Sequence, residues 1–192
     1  MRVAVIQGHP DRTPERFLRA LARAYADGAK ERGHDVRIVD LAELEIPLLR
    51  TRLEWQTGRR PEGIRKAQEV IGWAQHLVLF YPLWLGEMPA LVKAFLEQAL
   101  HPGFAIRVGK NGRWKTLLGG RSARIVVTMG MPALVYQWYF GAHSLKSLKR
   151  NILGFCGVRP VRHTLIGNVE GCGVVDRALW LRKLRLLGRR AS

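Results

Sequence analysis

Five short apolar runs separated by helix-length segments limit what this chain can fold into. They lie at Arg2–Gln7, 35–41, 76–81, 123–129 and Val161–Ile166. The third run is apolar nearly throughout, as suits a parallel strand covered on both faces. Strands that alternate with helices build a parallel sheet with helices on either side, because the crossovers are right-handed. Helices are expected at 13–33, 61–75, 89–100, about 145–155 and 174–188. In the first of these, Thr13-Pro14-Glu15 has the form of an N-cap, a proline at the first helical position and an acidic first turn. Segments 43–60 and 101–120 lack a clear period and read as loops, the second with room for a strand or turn. Five strands in 192 residues predict one three-layer α/β domain over residues 1–192, with a five-stranded parallel sheet in the order 2-1-3-4-5.

Hydrophobic residues make up 47% of the chain, enough to bury a core and to set disorder aside. No stretch approaches the roughly 20 apolar residues that span a bilayer, and the first apolar run is too short for the core of a signal peptide. Cys156 and Cys172 form no CxxC pair and no disulfide framework, so reduced thiols in a cytoplasmic protein are expected. The net charge is +17, and residues 98–169 contain no Asp or Glu. Such a field draws phosphorylated cofactors, anionic lipid or acidic partners; an ordinary solvated basic surface is the plainer account. No nucleic-acid-binding motif accompanies the charge, and no nucleic-acid partner is expected.

In an open parallel sheet ligands bind beyond the carboxyl ends of the strands, where the strand order reverses. Three loops meet that edge. The first, Gly8-His9-Pro10-Asp11-Arg12-Thr13, is neither a Walker A loop nor a GxGxxG fingerprint, yet it leads into a helix start. Thr13 offers a hydroxyl there, and Arg12 and Arg16 offer charge. The second, running from Tyr81 through Pro82, Leu83, Trp84 and Leu85 to Pro89, is apolar and stiffened by prolines, so it suits either a flat ring or plain core and contact surface. The third, from Thr128 through Gly130 and Met131 to His143, joins one glycine to an aromatic cluster. Tyr136 or Tyr139, with His143, would supply protons. A phosphate anchor, a ring platform and a proton source together suit a flavin, which carries hydride chemistry itself.

At these loops the chain resembles the flavodoxin-like NAD(P)H:quinone oxidoreductases, the DT-diaphorase-type enzymes and their bacterial relatives, among them ancillary subunits of potassium efflux systems. The resemblance rests on Gly8-His9-Pro10-Asp11, Tyr81-Pro82-Leu83-Trp84, Met88-Pro89-Ala90-Leu91, His101-Pro102-Gly103-Phe104-Ala105, Thr128 to His143, and Asn151 to Gly157. It implies that His9, Thr13 and Phe17 hold the phosphate end of FMN or FAD, with FMN preferred. Pro82, Leu83, Trp84 and Leu85 would lie along the isoalloxazine, and Thr128, Gly130 and Met131 near its pyrimidine edge. Tyr136 and His143 would stabilise the reduced ring and protonate a quinone. Ping-pong transfer of two electrons from NAD(P)H to a quinone-like acceptor is implied, in a homodimer with the site at the subunit boundary. The chain departs from the family in lacking the usual Asn at the first helix, in having one glycine after the fourth strand, and in carrying Leu85 where a second aromatic is common. A second reading is a redox-sensing subunit that docks on a transporter or at the inner face of the membrane. It draws on Leu179, Trp180, Leu184, Leu186 and Leu187 alternating with six basic residues; a helix simply packed on the sheet competes with it.

Overall fold

The computed structural model describes residues 1–109 and 113–192, so Lys110 of the basic stretch lies outside it. Strands β1 (Arg2–Gln7), β2 (Asp35–Asp40), β3 (His76–Pro82), β6 (Ser122–Thr128) and β7 (Val161–Ile166) form one sheet in the order β2-β1-β3-β6-β7. All four pairings are parallel. This is the expected flavodoxin-like order, with a small antiparallel hairpin, β4 (Ile106–Val108) and β5 (Trp114–Thr116), inserted before the fourth sheet strand.

Alternate side chains of the strands feed two cores. On one face Val3, Val5, Val78, Phe80 and Val126 pack against α1 (Phe17–Glu31) and α6 (Val174–Arg190) through Leu18, Leu21, Tyr25 and Leu184. On the other, Ala4, Ile6, Leu79, Tyr81, Ile125 and Val127 meet α3 (Glu62–Trp73) and α4 (Ala90–Ala99) through Ile64, Ile71, Val92 and Phe95. The period-two split is what a sheet covered on both faces requires.

Two local expectations change. Segment 43–60 contains a short helix, α2 (Arg52–Thr57), whose N-cap Thr51 accepts from the Glu54 N–H at 3.1 Å. The Arg60 guanidinium ties this loop down through the carbonyls of Glu54, Trp55 and Gly58. After β6 a single helix is replaced by a π-turn at Val135–Tyr139, α5 (His143–Ser147) and a π-helical stretch at Leu148–Leu153. Helix α6 is packed: Leu184 and Gly188 are buried against α1, while Arg185 and Arg189 pair with Glu31. No helix among the described residues is long and apolar enough to cross a membrane.

Candidate functional site

The register sets Gln7 beside Phe80, Pro82 beside Thr128 and Thr128 beside Ile166, so the loops leaving β1, β3, β6 and β7 open onto one edge. A cavity of about 350 Å³ lies there.

The first loop is held by its own polar groups. The Gly8 N–H donates to the Phe80 carbonyl at 2.7 Å, and a Cβ at Gly8 would lie 2.6 Å from that oxygen, so glycine alone lets the chain turn this close to β3. The Asp11 N–H donates to His9 Nδ1 at 3.0 Å, which leaves the neutral ring's proton on Nε2. Burial holds the His9 pKa below the ordinary histidine value; the Asp11 carboxylate opposes this, and Arg16 and Arg19 add to it. His9 therefore lines the cavity as a neutral N–H donor and stands edge-on to Trp84, ring centroids 6.1 Å apart.

Helix α1 begins at Phe17, three residues later than expected. Asp11 Oδ1 accepts from both the Thr13 N–H (2.8 Å) and the Thr13 hydroxyl (2.5 Å), and Oδ2 from Arg16 Nε (2.7 Å). Those hydrogen bonds, the Thr13 hydroxyl's first, hold the Asp11 carboxyl far below the usual carboxylate range. This Asx-type turn competes with the helix cap for the same groups and wins. Thr13 thus braces the loop and does not line the cavity. No side chain caps the first turn of α1, and Phe17 and Leu18 of that turn line the cavity beside Arg16. Uncapped N–H groups at a helix start, beside a neutral imidazole donor and an Arg16 already paired with Asp11, favour an anion, although the Glu15 carboxylate also lines the cavity there.

Behind this turn lies Arg19, which the sequence does not announce. Its Nε donates to the Asp11 carbonyl at 3.0 Å, and its guanidinium grips Asp40 at 2.5 and 3.3 Å at the end of β2.

The ring-sized part of the cavity comes from the other loops. Pro82, Leu83 and Trp84 line it, but Leu85 does not. Trp84 and Glu87 exchange N–H to carbonyl hydrogen bonds of 2.9 Å around a turn in which Leu85 (φ 48°) and Gly86 (φ 78°) are both left-handed, and this throws Leu85 into solvent. Thr128, Met129 and Gly130 form the next wall. Met131 is packed on the core instead, and its carbonyl accepts from the Asn168 N–H. The loop after β7 completes the cavity with Val169, Glu170 and Arg177. Arg177 is fixed by the carbonyls of Cys172 (3.0 Å) and Val169 (3.3 Å) and lies over the Phe17 ring at 5.1 Å. Glu170 lies against Gly130, where a Cβ would approach its carboxylate to 3.3 Å.

Residues 1–183 match the model of the Flavodoxin_2 family, described as a flavodoxin-like fold. The chain belongs to this family. A Haemophilus influenzae protein named an uncharacterized NAD(P)H oxidoreductase is 28% identical over 174 residues, spanning 88% of this chain and 85% of that protein. Among solved structures, an NAD(P)H:quinone oxidoreductase from Methanothermobacter marburgensis superposes with a TM-score of 0.82 at 24% identity, covering 100% of this chain and 99% of that one. An FMN-dependent NADH-azoreductase from Bacillus anthracis, in complex with FMN, gives 0.75 at 16% identity over 98% and 97% of the two chains.

Within this Flavodoxin_2 fold the expected proton pair is not assembled at the cavity. Tyr136 is only 1% exposed; its hydroxyl lies 2.6 Å from Ser144 Oγ and accepts from the Leu145 N–H at 3.2 Å. His143 is exposed, opens α5 after the left-handed Ala142, and lies against Gly141. Neither lines the cavity. The π-turn at Val135–Tyr139 causes this by turning Tyr136 inward and leaving Tyr139 exposed.

Proposed function

We propose that the chain is a flavin-dependent NAD(P)H:quinone oxidoreductase with FMN, in preference to FAD, as its cofactor. The observation that carries the reading is the cavity itself, with the uncapped N–H groups of α1 and the His9 Nε2–H at one end and an apolar, aromatic wall at the other. The uncapped first turn of α1, His9 Nε2–H and Arg16 would hold the phosphate. Pro82, Leu83 and Trp84 would lie along the ring, with Thr128, Met129 and Gly130 at its polar edge. The names of the Haemophilus influenzae and Methanothermobacter marburgensis relatives, and the FMN of the azoreductase complex, support the same chemistry.

A bound flavin supplies hydride transfer; the chain's task is to fix the ring and exclude competing geometries. The quinone would replace NAD(P)⁺ over the same ring face, in a ping-pong cycle. Exposed Leu85, Val135, Tyr139 and Phe140 form apolar surface that a second copy of the chain would cover, placing the site at a subunit boundary. A Tyr136 hydroxyl already engaged inside the fold is a poor proton donor, and neither Tyr139 nor His143 lines the cavity, so the reading rests on the flavin site and not on this pair.

The test is spectroscopic. Protein supplied with FMN should retain it through gel filtration, lose the flavin absorbance when NADPH is added and recover it when a soluble quinone follows. Protein that retains neither FMN nor FAD overturns the reading.

A further inference from the structure

A second cavity, of about 430 Å³, opens beside the edge strand β7 and shares no residue with the first. Its apolar part is Leu145, Leu165 and the indole of Trp138; its cations are Lys146 and Lys149, with the His163 ring beside them. Lys146 and Lys149 are three residues apart across the join between α5 and the following π-helical stretch, and they are on the same side of it, since both line this cavity. The Lys149 ammonium lies 3.3 Å from His163 Nδ1, an arrangement in which the lysine donates to a neutral ring. Neither lysine has a carboxylate partner among the described residues, and residues 98–169 contain none to offer.

A few basic groups elsewhere do meet a carboxylate. Arg185 and Arg189 share Glu31, Arg16 has Asp11, and Arg19 has Asp40. Two lysines left uncompensated at the rim of a cavity repel each other until an anion enters. A bare inorganic anion would satisfy the lysines but leave Trp138 and the two leucines wet. A neutral ring would cover the apolar part and leave the charge.

We propose that this cavity binds a small aromatic carboxylate, its ring against Trp138, Leu145 and Leu165 and its carboxylate between Lys146 and Lys149. An indole face and a flat ring stack with favourable geometry, and a carboxylate accepts charge-assisted hydrogen bonds from ammonium groups. His163 lies beside the carboxylate position, and burial followed by Lys149 and Arg124 now keeps its pKa low. None of this depends on what the first cavity holds.

Calorimetric titration of the protein, with and without saturating FMN, uses 2-naphthoate, its neutral isostere 2-naphthamide and inorganic phosphate as probes. Naphthoate should bind at least about tenfold more tightly than either of the others, with and without FMN. Lys149→Gln and Trp138→Ala should each weaken naphthoate at least about fivefold, while leaving the melting temperature in place because both side chains are at the surface. Equal binding of naphthoate and naphthamide, equal binding of naphthoate and phosphate, displacement of naphthoate by FMN, or indifference to both substitutions would each overturn the assignment.

Discussion

The two ends of α1 are finished in opposite ways. Toward its carboxyl end, a Cβ at Gly28 would lie 2.0 Å from the Arg185 carbonyl, and one at Gly188 of α6 would lie 2.0 Å from the Tyr25 carbonyl. The helices touch backbone to backbone there, with Glu31 gripped by two arginines beside the contact. At its amino end the first turn has no capping side chain and opens into the cavity. One half of the helix anchors the fold and the other half presents donors, so stability and ligand binding should respond to different substitutions.

Gly28→Val strikes the anchored half and should have the largest effect. The new side chain meets backbone that cannot yield, at a cost on the order of 3 kcal/mol or more. Expected is a chain that accumulates poorly and melts far below the parent; a melting temperature within a few degrees would mean that α6 can shift away at little cost.

Next is acid. His76, at the start of β3, is buried, and its Nε2 has no hydrogen-bond partner among the described residues. Desolvation first, then Arg124, Arg162 and His34, lower its pKa from 6.5 to about 4. The unfolded chain takes up this proton near pH 6.5 and the folded chain only near 4. Stability is therefore full above about pH 6.5 and falls as the pH drops toward 4, by up to about 3 kcal/mol. His9, His101 and His163 are lowered in the same sense and steepen the fall. Urea midpoints measured at successive pH values check this, and in His76→Gln the slope over this window should flatten.

Arg19→Ala links the two halves. It leaves Asp40 without its partner and the Asp11 carbonyl without its donor. A loss of about 2 kcal/mol is expected for a pair that is only partly buried, together with weaker FMN retention as the first loop loosens. Retention unchanged at lowered stability would confine Arg19 to the anchored part of the helix.

What could be read in advance follows the same division. The strands were legible because burial on both faces demands uninterrupted apolar runs such as Val3–Ile6 and Leu77–Tyr81, and the sheet order followed from their number. Of the site residues read from the sequence, His9, Arg16, Phe17, Pro82, Leu83, Trp84, Thr128 and Gly130 come together around one cavity. Thr13 was misplaced because an Asx turn and an N-cap use the same residue types, and only the folded loop shows which one Asp11 favours. Leu85 was misplaced because a left-handed leucine has no local signal beyond the following glycine. Tyr136 was misplaced because a π-turn shifts every side chain after it by a fraction of a turn. Glu170 and Arg177 were missed although a signal existed: the last strand of a parallel sheet ends on the same edge as the first, so its loop belongs to the site as well.

The smallest effect tests the open half alone. His9 gives its Nδ1 to the Asp11 N–H and keeps Nε2–H for the cavity. His9→Ala removes one neutral donor from the proposed phosphate position while Arg16 and the helix turn remain. A single hydrogen bond to a charged group is worth about 1.5–3 kcal/mol, so FMN should bind about tenfold or more weakly. The ligand-free melting temperature should fall only slightly, since the half-buried ring gives up one hydrogen bond from the Asp11 N–H and its edge contact with Trp84. Gln at this position can still present an N–H and should recover part of the affinity, which loss of loop structure alone would not allow. Equal affinities for Ala, Gln and the parent would remove His9 from the anion site and leave the helix turn and Arg16 to hold the phosphate; a fall in the ligand-free melting temperature as large as that of Arg19→Ala would instead show that the open end of α1 contributes to the fold after all.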